Sequence, residues 1–284
     1  MIQPPSRGGV PVNNQPQLVF EADDKQLMID AKAGTWSLIT REGAVRGAEI
    51  GWSEYKPLPG SESFAESFTN VLRGASPVDC REDYADSIGD ATKVVVGHDL
   101  QQFHVTCTWL LYKEVPWMSL QVELETKRAL PNPKFLAVAQ GDAQEVTWQT
   151  EGQSGMPDTN SLLLIRMSRQ DGFDLGCDLM RCRFVVNSRD LANGTTGLTS
   201  FDPNEELPGK NGDWGAWWGL AGDPETGKSA FVGFTHPVHH RTRHGFTGDR
   251  FEAGCQVDRE IEEGETFSSD RLLVRFGTDP HEVL

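Results

Sequence analysis

Four histidines, His236, His239, His240 and His244, fall within nine residues, with Arg241 and Arg243 among them. Imidazoles this close can share a metal ion or serve proton transfer, because their charge changes near neutral pH. No carboxylate stands at a spacing that completes such a site, so polar loop surface is the plainer reading and no metal ligand is assigned. Three tryptophans, Trp214, Trp217 and Trp218, alternate with Gly212, Gly215 and Gly219. Aromatic rings beside glycine can lie flat and accept the apolar face of a sugar, and each is equally suited to a strand core. Trp52 and Tyr55 carry the same pair of readings. Acidic residues are abundant, but a glycosidase pair needs two carboxylates at a set separation, which no spacing here reveals.

The run Gly222-Asp223-Pro224-Glu225-Thr226-Gly227-Lys228-Ser229 matches the phosphate-binding pattern G-x-x-x-x-G-K-[ST]. That pattern works because a helix starts behind the loop and its N–H groups wrap the anion. Here Ala230-Phe231-Val232-Gly233-Phe234 follows and reads as a strand. A β-turn is therefore expected, opened by Asp223-Pro224 and closed by Gly227 at positive φ, and no nucleotide cofactor is assigned.

Charge narrows the partners. With 26 basic and 42 acidic residues the formal charge is −16, a field that repels phosphate backbones and anionic lipid. Nucleic acid and membrane are thus poor partners, whereas a neutral sugar is indifferent to the field. No run approaches the roughly 18 apolar residues of a membrane helix. Five scattered cysteines, Cys80, Cys107, Cys177, Cys182 and Cys255, make no disulfide framework and point to a reducing compartment. With no apolar leader at the N-terminus, the expected location is cytoplasmic.

The elements that position these residues read as strands. Residues 103–109, 118–124 and 272–276 alternate apolar and polar side chains, the period of a strand with one face in a core. Weaker runs at 18–21, 26–30, 93–96, 161–167, 183–186 and 229–234 extend the series. No window of eleven residues holds a helical period, and 29 Gly and 16 Pro punctuate the chain. The expected fold is all-β, a large antiparallel two-sheet sandwich with little helix. Residues 1–16 are expected as a loose arm, 17–278 as the sandwich, and 191–212 as a long loop. At 279–284, Asp279 suits an N-cap, Pro280 the first helical position and Glu282 a capping box, so a helix is expected to start there, leading to an absent domain.

Three stretches carry a family resemblance. They are Glu54-Tyr55-Lys56-Pro57 with Gly60 and Phe64; Trp217-Trp218-Gly219-Leu220 through Ser229-Ala230-Phe231-Val232-Gly233-Phe234; and Glu263-Gly264-Glu265 through Asp270 to Gly277-Thr278-Asp279-Pro280. Together they resemble the N-terminal β-supersandwich of α-galactosidases of glycoside hydrolase family 36, a galactose-mutarotase-like fold. Asp270 stands where that family has Glu. Ser61-Glu62-Ser63-Phe64 replaces its Gly-Asp-Phe-Arg, leaving Glu62 as stand-in for a rim aspartate.

The resemblance implies a non-catalytic domain that shapes the sugar site of a separate catalytic barrel or another subunit. Both catalytic carboxylates would lie in that barrel, so no catalytic residue is assigned in this chain. Trp52, Tyr55, Glu62, Trp214, Trp217 and Trp218 would form the substrate-binding rim for a galactoside-like carbohydrate. Two alternatives stand beside it. One is a free-standing mutarotase-like epimerase using a clustered histidine and a carboxylate. The other is a carbohydrate-binding or assembly module. Self-association into a homo-oligomer is left open.

Overall fold

The computed structural model describes residues 17–57, 64–75, 80–131, 160–168, 171–175, 183–190, 195–201, 213–214, 218–235, 240–247, 250–257 and 259–279. Among these, strand is the only regular element. The chain opens with β1 (Gln17–Ala22), β2 (Lys25–Asp30), β3 (Thr35–Ile39), β4 (Ala44–Pro57) and β5 (Phe64–Asn70). A meander follows through β6 (Cys80–Ala85), β7 (Asp90–Asp99), β8 (Phe103–Tyr112) and β9 (Trp117–Thr126). Next come β10 (Asn160–Ser168), β11 (Phe173–Asp174), β12 (Arg183–Asp190), β13 (Thr195–Phe201) and β14 (Asp213–Trp214). The last are β15 (Trp218–Gly222), β16 (Ser229–Phe234), β17 (Arg241–Thr247), β18 (Arg250–Val257), β19 (Thr266–Ser268) and β20 (Leu272–Gly277).

They form two ten-stranded sheets. The first runs β1-β2-β3-β4-β10-β18-β17-β14, with β5 and β11 also paired to β4. The second runs β13-β12-β15-β16-β20-β9-β8-β7-β6, with β19 paired to β9. The alternation read from sequence explains why they stack. Phe103, Val105, Cys107, Trp109 and Leu111 of β8 all turn one way, as do Met118, Leu120, Val122 and Leu124 of β9, and all are buried. Ile50 and Trp52 of β4, with Leu162 and Ile165 of β10, meet them from the first sheet in one apolar cluster. Fully burying side chains of this size stabilises by about 1.5–3 kcal/mol each. The expected all-β two-sheet sandwich is the observed fold.

Residues 222–229 form a hairpin turn between β15 and β16. Asp223 Oδ1 accepts the Glu225 N–H at 3.0 Å, its Oδ2 accepts the Thr226 hydroxyl at 2.8 Å, and Gly227 has φ 74°. A strand, not a helix, follows, so the geometry of a phosphate loop is missing. The expected loop at 191–212 is corrected in part: β13 lies inside it and pairs with β12 over seven residues. Thr195, Thr196 and Thr199 favour strand, and the partner's ladder supplies what a weak alternation does not. Residues 191–194 and 202–212, like 280–284 and the arm at 1–16, lie outside the described residues.

The outer face of the second sheet carries a smaller apolar cluster: Ala91, Leu110 and Tyr112, with Tyr84, Ile88, Val115 and Trp117 packed on it. Asp86 clasps its edge. Its Oδ2 accepts the Tyr112 hydroxyl and Arg271 Nη1, both at 2.9 Å, and its Oδ1 accepts the Ile88 N–H at 2.9 Å.

Candidate functional site on the outer face of the first sheet

β10 reads Leu162-Leu163-Leu164-Ile165-Arg166-Met167, a single cation in an apolar run. A bulge between Leu163 and Ile165 re-phases the strand, so Ile165 and Met167 face the core and Arg166 faces away. Arg166 is nonetheless only 8% exposed, and Glu252, opposite it on β18, 4%. Buried charges must be paired, and these are. Arg166 Nε lies 3.3 Å from Glu252 Oε1, and Nη1 lies 3.5 Å from Glu66 Oε1 on β5. Ser53 Oγ donates to the same Glu66 oxygen at 2.8 Å.

The Phe68 ring covers the guanidinium, with the Arg166 Cζ 4.3 Å from its centroid. Gly51 makes that possible: a Cβ there would come within 2.2 Å of the Phe68 ring. Thus β4, β5, β10 and β18 each place one part, and Ser161 and Gln256 complete a buried polar layer on this side of the sheet.

Register brings two expected rim residues onto this face. Tyr55 stands opposite Glu66, and Trp214 opposite Arg243, itself opposite Gly254. Both are described by backbone position. Trp52 corrects its expectation. It is wholly buried on the core side of β4, 5.4 Å from Phe103 and 6.5 Å from Phe267 between ring centroids, and is no rim residue. Neighbours along a strand face opposite ways, so Trp52 goes inward because Gly51 and Ser53 face out. Trp218 is half-buried in the second sheet, tilted on Phe231 at 6.1 Å. Trp214 and Trp218 therefore belong to strands of different sheets. Glu62 and Trp217 lie outside the described residues.

Of the four histidines, His236 and His239 lie outside the described residues. His240 holds the Ser268 carbonyl at 3.0 Å and lies 4.5 Å from the Phe267 ring. His244 is fully buried, edge-on to Phe234 at 5.2 Å. Both pack against residues of the apolar core. Cys107 and Cys255 are buried free thiols, and burial pushes both far above the usual thiol range, which leaves them unreactive.

Glu54 is likewise held, by Arg128 at 2.9 Å and Lys56 at 3.4 Å. Among the described residues no helix is long and apolar enough to cross a membrane. The sequence reading missed Arg166, Glu66 and Glu252. The lone arginine inside the β10 apolar run was the available signal, because a cation there requires carboxylate partners.

No family model matches the chain, and no curated protein matches it. Solved structures do. One is a galactose mutarotase-like protein from Clostridium acetobutylicum, at 9% identity and TM-score 0.46, matched over 92% of this chain and 94% of that one. Another is the family 36 α-galactosidase AgaB from Geobacillus stearothermophilus, at 9% identity and TM-score 0.45, matched over 94% of this chain and 40% of that one. A third is the α-galactosidase from Lactobacillus brevis, at 10% identity and TM-score 0.47, with 92% and 39% covered. The chain thus spans nearly the whole of the first and about two fifths of the others. The likeness is one of fold.

Proposed function

We propose that this chain is a non-catalytic β-sandwich domain of an α-galactosidase-like glycoside hydrolase. It would form one wall of a sugar site completed by a catalytic domain or another subunit. The observation that carries the reading is the commitment of Glu66 and Glu252 to one arginine under an aromatic cover. Acid–base chemistry at a glycosidic bond needs two carboxyls facing each other across the substrate, one protonating the leaving oxygen. A carboxylate pair bridged by Arg166 under the Phe68 ring has its charges committed instead, with Arg166 and Glu252 buried. A wall without such a pair holds hydroxyl groups alike in ground and transition states, and so binds without accelerating.

Tyr55 and Trp214, whose backbone positions are in register with this face, are the residues proposed to make the aromatic contacts of the rim. The three stretches that resemble family 36 support the same role. The buried free thiols support a cytoplasmic setting. The epimerase alternative needs a histidine and a carboxylate facing one pocket, and faster mutarotation of α-galactose in the presence of the chain would favour it over the wall.

The test is weak binding of methyl α-galactoside by the 284-residue chain, followed by saturation-transfer NMR. Affinity on the order of millimolar is expected, falling by up to about tenfold for Tyr55→Ala or Trp214→Ala, as the loss of one ring contact predicts. No saturation transfer from the wild type, or transfer untouched by both substitutions, rules the proposed wall out.

A further inference from the structure

We propose that a second copy of this chain pairs with β1 edge to edge, joining the first sheets of two molecules about a two-fold axis at Val19. β1 ends the first sheet and, among the described residues, pairs with β2 alone. The two-residue turn Asp23-Asp24, with Asp23 at φ 49°, joins the two strands and makes Ala22 and Lys25 the closing pair. Residues that close such a turn exchange both their hydrogen bonds, and the direction alternates along an antiparallel strand. Ala22, Phe20 and Leu18 therefore bond to β2, whereas Gln17, Val19 and Glu21 aim their N–H and C=O groups outward.

Such an edge is a template for another strand unless charge, proline, a bulge or shortness guards it. β14, at the far end of the first sheet, is two residues long. In the second sheet β6 carries Arg81, Glu82 and Asp83 at one edge, and β13 at the other has Gly197 inside it, which weakens a strand. β1 reads Gln-Leu-Val-Phe-Glu-Ala, with one charge and an unshifted register. Val19, 49% exposed, is the one exposed large hydrophobic among the described residues.

The sequence of β1 selects its own copy as the occupant. An axis at Val19 sets Val19 against Val19 and Gln17 against Glu21, all outward-pointing residues that exchange both hydrogen bonds with the residue opposite. On the outer face Val19 stands beside Met28, so the axis joins both residues and their copies into one apolar strip. Gln26 donates to Glu21 at 3.3 Å, and the Gln17 amide of the other copy extends that polar row. On the core side Phe20 is buried and Leu18 only partly so. The same axis sets them opposite, and Phe20 of one copy covers Leu18 of the other. Moving the axis to Phe20 puts Val19 against Glu21, and moving it to Glu21 puts two carboxylates face to face. Like charges directly opposite destabilise a strand pair, so the Val19 register wins.

Analytical ultracentrifugation of the 284-residue chain tests the pairing. An edge contact is smaller than a standard interface, so dissociation on the order of 100 µM is expected. Added salt should tighten it, because two chains of −16 repel. Val19→Pro deletes an outward N–H and none that faces β2, the position where an edge strand tolerates proline. It should weaken the dimer roughly thirtyfold, the worth of the two bonds lost across the axis. Gln17→Lys sets an ammonium against Glu21 and should tighten the dimer about fivefold at low salt. Val19→Lys adds the same charge but should loosen it about tenfold. Hydrogen exchange of the wild type needs no variant: the Gln17, Val19 and Glu21 amides should slow as concentration rises. A monomer throughout overturns the proposal, as does a dimer untouched by Val19→Pro or not tightened by Gln17→Lys. Protection of those amides that ignores concentration, as residues 1–16 of the same chain would give, overturns it too. Sugar binding is not read in any arm, so this result and that of the wall proposal are separable.

Discussion

Arg166→Ala should lower the stability of the fold by about 3–5 kcal/mol, the cost of breaking a buried ion cluster from one side. The side chains involved are 9% exposed for Arg166, 5% for Glu252 and 24% for Glu66, so solvent does little to soften the loss. Without the guanidinium, Glu66 and Glu252 both lose the charge that bridges them beside the Phe68 ring. Neutralising the whole cluster behaves differently. Arg166→Met combined with Glu66→Gln and Glu252→Gln should return to within about 1–2 kcal/mol of wild type, because isosteric replacement of buried ions is often neutral. Urea unfolding measures both. A single Arg166→Ala variant as stable as wild type would mean that the cluster is not what holds β5, β10 and β18 in this arrangement.

Asp86→Asn should cost about 1.5–3 kcal/mol at neutral pH, the worth of hydrogen bonds to a charged group. Burial pushes the Asp86 carboxyl up, but the Ile88 N–H, the Tyr112 hydroxyl, Arg271 and the Gly89 N–H together hold it below the usual carboxylate range. Burial and the bond to Asp86 raise the Tyr112 hydroxyl to about 12, so that donor keeps its proton throughout the range of interest. A carboxyl whose folded-state value is depressed contributes fully above the unfolded value of about 3.9, and the contribution fades as pH falls through the folded value. The gap between wild type and Asp86→Asn should therefore be wide at pH 7 and narrow below about pH 4. A gap of constant width across that range would assign the effect to packing in the cluster around Tyr112.

Much of this fold was legible because its strands obey a period of two. Residues 103–109, 118–124 and 272–276 reveal their buried face directly, and the structure places those faces in the core. Which face an isolated aromatic takes was legible only where its strand was followed. Ile50 and Trp52 share a face by spacing alone, and that spacing sends Trp52 inward.

The candidate site was less legible because its parts come from four strands far apart in the chain. Glu66, Arg166 and Glu252 meet only through the pairings of β4 with β5 and of β10 with β4 and β18. The histidine run shows the converse. Closeness in sequence does not mean a shared environment: of the two described histidines, His244 is turned into the core by β17 while the part-buried His240 packs on Phe267. Trp214 and Trp218, four positions apart, part company because the chain crosses between sheets there.

The central claim is that this chain binds sugar without breaking glycosidic bonds, and nitrophenol release from nitrophenyl α-galactoside tests it most directly. The 284-residue chain should release nitrophenol no faster than buffer does, since Glu66 and Glu252 are held by Arg166 and the transition state gains nothing over the substrate. Turnover above the buffer rate that disappears in Glu66→Gln or Glu252→Gln would contradict the account and make this face a catalytic centre.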